Sequence, residues 1–323
     1  MLQTVGEVER KIRTGQALLL AGDEHALRGL PLGNWIAGTI PYFMAQEGGV
    51  CSRDRIFVTP LPDCVASVEI LSYSLATLPG ILRDAPENGF TPLILPAGSP
   101  VHAAYARDAS GYRGIFAKPV IGWVSGVHVS EIGKRLPQVV NGLTGVWSSE
   151  DAVAMHASLP AGKLAELDTI NVFQPGQGSV VLFPDTGFEA LWCHVGGQPV
   201  KFADFLKQSG SDTRLPLTAD YNGAVINVSI QSVDEVTGVV KFYAPVFQGV
   251  EYRLAAPVDD YVRAFESLVD DGEPPMFSCN CILNYLYSHL EGRKTGSATG
   301  PMTFGEIANL LLNQTLVRLF IRG

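Results

Sequence analysis

Near its C-terminus the chain carries a run, Thr315 to Arg322, whose two alternating sets of side chains are both largely apolar. Thr315, Val317, Leu319 and Ile321 alternate with Leu316, Arg318, Phe320 and Arg322. Successive residues of a strand point to opposite faces, so a strand apolar on both faces belongs inside a sheet. Upstream, Ile282, Leu283, Leu286 and Leu290 recur at helical spacing. Asn280 is placed to cap that helix, and Gly292 with Arg293 and Lys294 to end it. The tail therefore reads as strand, helix, glycine-rich turn, strand and strand. Cys279 and Cys281 stand at the first strand-to-helix junction.

The rest of the chain is a series of short apolar runs punctuated by Gly and Pro. Val5, Val8 and Ile12 have amphipathic-helix spacing, and residues 17–21 follow as a buried strand. Strands are expected on either side of Pro60–Leu61–Pro62, at 93–95 and over 152–158, and Pro119–Gly126 is a second apolar segment with interior glycines. Further strands are expected at 170–173, 180–183, 190–195 and 252–254. A helix with Pro79 inside it is expected over 74–83, and Ser99–Pro100 opens another that carries His102 and Tyr105. Residues 201–208 and 258–269 have helical stripes, the second ended by Asp270–Asp271–Gly272. Ala224 to Phe247 reads as one hairpin turning at 234–238. The expected class is α+β, or mixed α/β, with several largely antiparallel or mixed sheets and flanking helices. A composition shift at Gly196–Gly197–Gln198–Pro199 marks the expected domain limit, giving regions 1–197 and 198–323.

Charge narrows the partners. A formal net charge of −9, with Lys and Arg scattered singly, excludes a sequence-independent hold on nucleic acid and on an anionic membrane surface. No apolar run is long enough to cross a bilayer, Glu69 interrupting the best candidate, and Met1 to Arg13 is no secretory signal. An odd count of 5 cysteines makes no disulfide framework and points to a reducing cytoplasm.

Few residue patterns carry chemistry. Cys279 and Cys281, one residue apart, share a strand face but have neither disulfide nor zinc-pair spacing. In the first turn of a helix Cys281 would be pushed toward thiolate; otherwise the pair are small buried hydrophobes. The 6 histidines show no metal-ligand spacing, and no metal or cofactor is expected. Gly33, Asn34, Trp35, Gly38 and Thr39 form a glycine-rich stretch that leaves room either for tight turns or for a ligand. Glu306, between Gly305 and Ile307 in an apolar stretch, is either buried against a partner or exposed at a pocket mouth. Asn313 and Thr315 follow close by.

These residues carry a resemblance. Phe277–Ser278–Cys279, then Gly305–Glu306–Ile307, then Asn313 and Thr315 resemble the C-terminal half of the FIST domain. Phe242–Tyr243–Ala244 and Gly249 match that family's preceding strand and turn. Gly33 to Ile40 and Pro119 to Gly126, with Trp123 in place of a glycine, resemble its N-terminal region. The resemblance implies two related halves, a FIST-N-like and a FIST-C-like region, with sensing of small molecules such as amino acids. It implies no cofactor, and a separate protein partner to carry the signal.

The expected function is therefore a cytoplasmic small-ligand sensor. Its expected ligand-binding residues are Gly33, Asn34, Trp35, Gly38, Thr39, Trp123, Cys279, Cys281, Gly305, Glu306 and Asn313. A protein-interaction scaffold without a pocket is the alternative, and a thiol-dependent enzyme using Cys281 or Cys279 the third reading.

Overall fold

A computed structural model describes residues 1–221, 224–269 and 272–323. Asp270 and Asp271, expected to end a helix, lie outside the described residues. The fold is mixed α/β and strand-rich, with sheets that are mixed or antiparallel. Among the described residues four sheets have six strands each and a fifth has three.

The first sheet runs Leu2–Thr4, Arg55–Pro60, Leu18–Gly22, Trp35–Thr39, Val139–Asn141, Val146–Ser148. Leu18 and Leu20 pack on one face with Val8 and Ile12 of the helix Val5–Arg13. Glu7 fixes the start of that helix, its carboxylate accepting from the Thr4 N–H at 2.8 Å. From the other face, Leu19, Ala21 and Ile36 join Ile94, Trp123, Val153 and Met155 of the second sheet. That sheet runs Leu310–Leu312, Glu306–Ala308, Val120–Ser125, Gly89–Pro96, Ala152–Ser158, Ser67–Tyr73. Its far face, including Leu93, Leu95 and Val124, packs with Val101 and Tyr105 of the helix Pro100–Asp108. Strands 18–22 and 89–96 are buried along their whole length because both faces are covered.

The third sheet runs Leu164–Ile170, Leu316–Arg322, Phe277–Cys281, Gly300–Thr303, Tyr42–Ala45, Gly48–Cys51. Its Phe277, Cys279, Val317 and Leu319 enter the same central core. The terminal strand is internal, antiparallel to 164–170 on one edge and to 277–281 on the other.

Between the strand Leu164–Ile170 and the helix Tyr261–Glu266 the chain builds a module with a core of its own. Phe183 is central to it, edge-on to Phe202, Tyr252 and Phe242 at 5.2, 5.5 and 5.6 Å between ring centres. The neck is closed by pairing of Pro175 with Ala255 and by a 2.8 Å bond from Ala256 N–H to the Gln174 carbonyl. Residues 197 and 198, the expected domain limit, fall at the turn of the hairpin Trp192–Val195/Gln198–Lys201 inside this module. Gly196 and Gly197 turn it with φ of 58° and 78°, which explains the composition there.

A seam of buried amides joins module to body. The Asn227 amide donates to Asn171 Oδ1 at 3.0 Å and to the Asn313 carbonyl at 3.1 Å. Ser229 Oγ donates to Gln314 Oε1 at 2.7 Å, and Gln314 Nε2 to the Arg214 carbonyl at 3.2 Å.

Several elements depart from the pattern in the sequence. The hairpin expected over 224–247 has its first arm divided: Ala224–Val228 pairs with Leu217–Tyr221, whereas Ile230–Val233 pairs with Val240–Val246 in the fifth sheet. The break falls at Ser229, where the seam engages the body. Over 74–83 a 3-10 turn, Leu78–Gly80, leads into Ile81–Asp84, since Pro79 fits only a first turn. The strand expected over 170–173 ends at Ile170. Cys281, not Asn280, is the N-cap of the helix Ile282–Tyr287; Asn280 Oδ1 accepts instead from Cys281 N–H at 2.7 Å and Asn284 Nδ2 at 2.9 Å.

One buried relay ties second-sheet strands to the helix edge. Tyr73 hydroxyl donates to Asp84 Oδ2 at 3.0 Å and lies 2.7 Å from His156 Nε2, while Thr91 Oγ1 lies 2.9 Å from His156 Nδ1. Burial holds the His156 imidazole neutral, its pKa lowered to about 4. Unfolding lets it gain a proton below its ordinary value of 6.5, so its contribution is lost as pH falls from there toward 4. His156→Gln should lower stability by about 1–3 kcal/mol at pH 7.5. Thermal unfolding should show that deficit shrinking toward pH 5; a deficit independent of pH contradicts the assignment.

Candidate functional site

The residues expected to bind a ligand separate into structural roles. At the N-terminal end of the first sheet, Gly33 closes on Ile12, to which a Cβ there would come within 2.5 Å. Asn34 Nδ2 donates to the Gly15 carbonyl at 3.3 Å and Trp35 Nε1 to the Pro31 carbonyl at 2.9 Å, so both side chains secure the loop. Thr39 Oγ1 accepts from Gln138 N–H at 2.9 Å. The space over Gly38 is filled: a Cβ there would lie 2.7 Å from both Ile94 Cγ2 and Trp123 Nε1. Trp123 in turn stacks on Phe277, ring centres 5.5 Å apart.

Glu306 pairs with Trp123 across the ladder and is wholly buried. Its Oε2 accepts from Thr315 N–H at 3.1 Å and Thr315 Oγ1 at 2.8 Å, while Oε1 has no partner. Burial outweighs those bonds and pushes its pKa up to about 8, so the carboxyl is neutral at pH 7. Gly305 supplies a carbonyl to Val124 N–H at 2.8 Å, and Asn313 Nδ2 donates to the Leu312 carbonyl at 3.0 Å. Cys279 and Cys281 are buried, and desolvation, with Glu306 next, pushes both thiols well above their ordinary value. This is the reverse of the thiolate expected at a helix start, because removal from water dominates there.

An open cleft lies elsewhere. A cleft of about 600 Å³ separates the inserted module from the sheet body. From the body it is lined by His102, Val127, Leu136 and Phe304, and from the module by Phe188, Glu189, Lys241 and Tyr243. None of the expected residues lines it, although Phe304 adjoins Gly305 and Tyr243 belongs to the strand matched above. Its size and mainly apolar walls suit a small organic molecule.

His102 is the group in this cleft whose placement is most determined by sequence. Ser99 caps the helix Pro100–Asp108, its Oγ accepting from His102 N–H at 3.1 Å. Gly98, with φ of 74°, turns its N–H onto His102 Nδ1 at 3.3 Å. That assigns the hydrogen to Nε2, on the other side of the ring, and Nε2 is buried without a partner. Burial lowers the pKa of His102 to about 4, so the ring is a neutral donor. Arg135 is held by Glu24 and by Glu131, the latter at 3.4 Å. Glu189 and Lys241 are directly opposite in the ladder between Gly187–Ala190 and Val240–Val246. Burial pushes the Tyr243 phenol up to about 12, leaving it a hydroxyl donor.

Among the described residues no group of His, Cys, Asp and Glu could hold a metal ion. No helix among them is long and apolar enough to cross a membrane. Residues 3–322 match the model of a family of unknown function, DUF6976. No curated protein and no solved structure matches the chain.

Two outcomes follow from the buried cluster. Iodoacetamide at pH 7.5 should modify half-buried Cys51 and Cys64 while Cys279 and Cys281 stay protected until the protein unfolds. Fast native labelling at either buried thiol, read by mass spectrometry, contradicts this. For Glu306, the unfolded carboxyl ionises near 4.5 and the folded one near 8. Stability is therefore full below the first value and falls between them, by up to about 1.4 kcal/mol per pH unit. Glu306→Gln should remove that fall, so its melting temperature relative to wild type should rise from pH 5 to pH 8.

Proposed function

The chain belongs to that family of unknown function, and we propose that it is a small-ligand-binding protein whose site is the cleft between the sheet body and the inserted module. The observation that carries the reading is the cleft itself, about 600 Å³ with mainly apolar walls supplied by Val127 and Phe304 from the body and by Phe188 and Phe242 from the module. The resemblance to FIST sensory domains supports the same class of function. With it come two related halves, flanking helices, amino acids as a ligand class and a separate signalling protein as partner, all carried here as proposals. Unpaired cysteines favour a cytoplasmic setting.

A scaffold read by another protein is the second reading. It is favoured by Ile132 and Leu136, exposed by 56% and 69% on the loop at the cleft rim. The thiol-enzyme reading loses its motive, since both thiols are buried and protonated.

A thermal-shift screen of the full chain against amino acids and related metabolites tests the proposal. A ligand at a hundred times its Kd should stabilise by about 2.7 kcal/mol. Gln231→Trp, at an exposed strand position lining the cleft, should abolish the shift while leaving the unliganded melting temperature nearly unchanged. No shift with any compound at millimolar concentration, or a shift untouched by Gln231→Trp, sinks the reading.

A further inference from the structure

The lining of the cleft is sorted by exposure, and on the premise that the cleft is the ligand site this sorting names the ligand's chemistry. Its aromatic walls are firmly placed. Phe304 donates its N–H to the Val124 carbonyl at 3.1 Å, and its ring lies on the backbone of Gly126, where a Cβ would come within 2.3 Å of its Cδ1. From the module, the Phe188 ring stands 6.3 Å from the His102 imidazole, tilted by 57°. Both phenylalanines are half-buried, so each keeps part of its ring open to the cleft. The polar groups are either sealed or at the mouth. His102 Nδ1 accepts from Gly98 N–H at 3.3 Å and Nε2 is closed off from solvent, so this neutral ring enters the wall as one more flat surface. Of the charged lining residues, Lys134, Glu189 and Lys241 lie at exposed positions, and Arg135 is fastened to Glu24 and Glu131. A charge carried inside would leave its water without meeting an accessible partner.

The loop at the mouth points the same way. Glu131 pairs with Arg53 at 2.9 Å and with Arg135 at 3.4 Å, so the segment between 131 and 135 is held at both ends. Ile132 and Leu136 nevertheless stay exposed there, both lining the cleft. A fastened loop that keeps two large apolar side chains in water at the rim extends the apolar wall outward. We infer that the ligand is an uncharged, predominantly apolar molecule, whose body lies between Phe304 and Phe188 and whose outer part is covered by Ile132 and Leu136. An anion or a cation would lose hydration inside and gain no partner in return. A zwitterionic amino acid would lose it at two groups for the burial of one short side chain.

A matched pair of fluorescent probes tests this on the full-length protein. N-phenyl-1-naphthylamine is uncharged, and 1-anilinonaphthalene-8-sulfonate is the same skeleton carrying one negative charge. The neutral probe should bind about tenfold more tightly than the sulfonate, with an affinity indifferent to salt. Leu136→Ser, at an exposed position where folding is little affected, should weaken the neutral probe about threefold or more. Leu164→Ser, at an equally exposed leucine on the outer strand of the third sheet, should leave it unchanged. Gln231→Trp, which fills the cleft, should abolish binding.

Equal binding of the two probes, tighter binding of the sulfonate, or binding of neither overturns the inference. Neutral-probe binding that ignores Leu136→Ser or Gln231→Trp lies outside the cleft and overturns it too. In each of those cases a shift in the metabolite screen that Gln231→Trp abolishes keeps the cleft as a ligand site, and the absence of any such shift overturns the ligand-site reading as well.

Discussion

The amide seam formed by Asn171, Asn227, Asn313 and Gln314 sets the position of the inserted module on the sheet body. Asn227 spends its N–H groups on one side chain and on two backbone carbonyls of the terminal segment. Such groups are costly to bury unless each finds its partner, so the seam tolerates one docked arrangement and penalises small displacements. Two consequences run from it. The strand 224–233 breaks at Ser229, whose hydroxyl is engaged by Gln314. The module's strand Val240–Val246 is brought up beside the helix that carries His102, and the cleft opens between them.

Much of the strand content is legible in residue order. Runs such as 18–22, 120–125 and 316–322 are apolar on both faces, and each is buried inside a sheet with its two neighbours. Ser99–Pro100 announces its helix for a local reason, a hydroxyl at the cap and a proline where no N–H is missed. Less legible is the division of one long alternating stretch between two sheets. Alternation reports which face is buried, whereas the identity of the neighbouring strand is decided by distant contacts.

The candidate site shows the same limit more sharply. Glycine spacing reports that something comes close to the backbone, without saying what. Over Gly38 it is Trp123 and Ile94, and over Gly33 it is Ile12. Glu306 stands out in sequence as an acid in an apolar run, and it is indeed unusual: buried, neutral at pH 7 and bonded to Thr315. That chemistry serves the junction between two strands of the tail and is sealed from water. His102 offers the opposite case. Its helix is evident from the sequence, yet nothing local distinguishes a histidine facing a cleft from one facing a core.

By itself the sequence determined the coarse class of fold, the location of many of the strands, and local signals such as the cap and proline at Ser99–Pro100. Those properties depend on neighbours within a few residues. Only the tertiary structure decided that residues near 175–255 close on their own core, that the thiols and Glu306 are sealed from water, and that His102 meets Lys241 and Phe188 across one opening. Burial and shared cavities arise from residues far apart in sequence, and no periodicity encodes which of them meet.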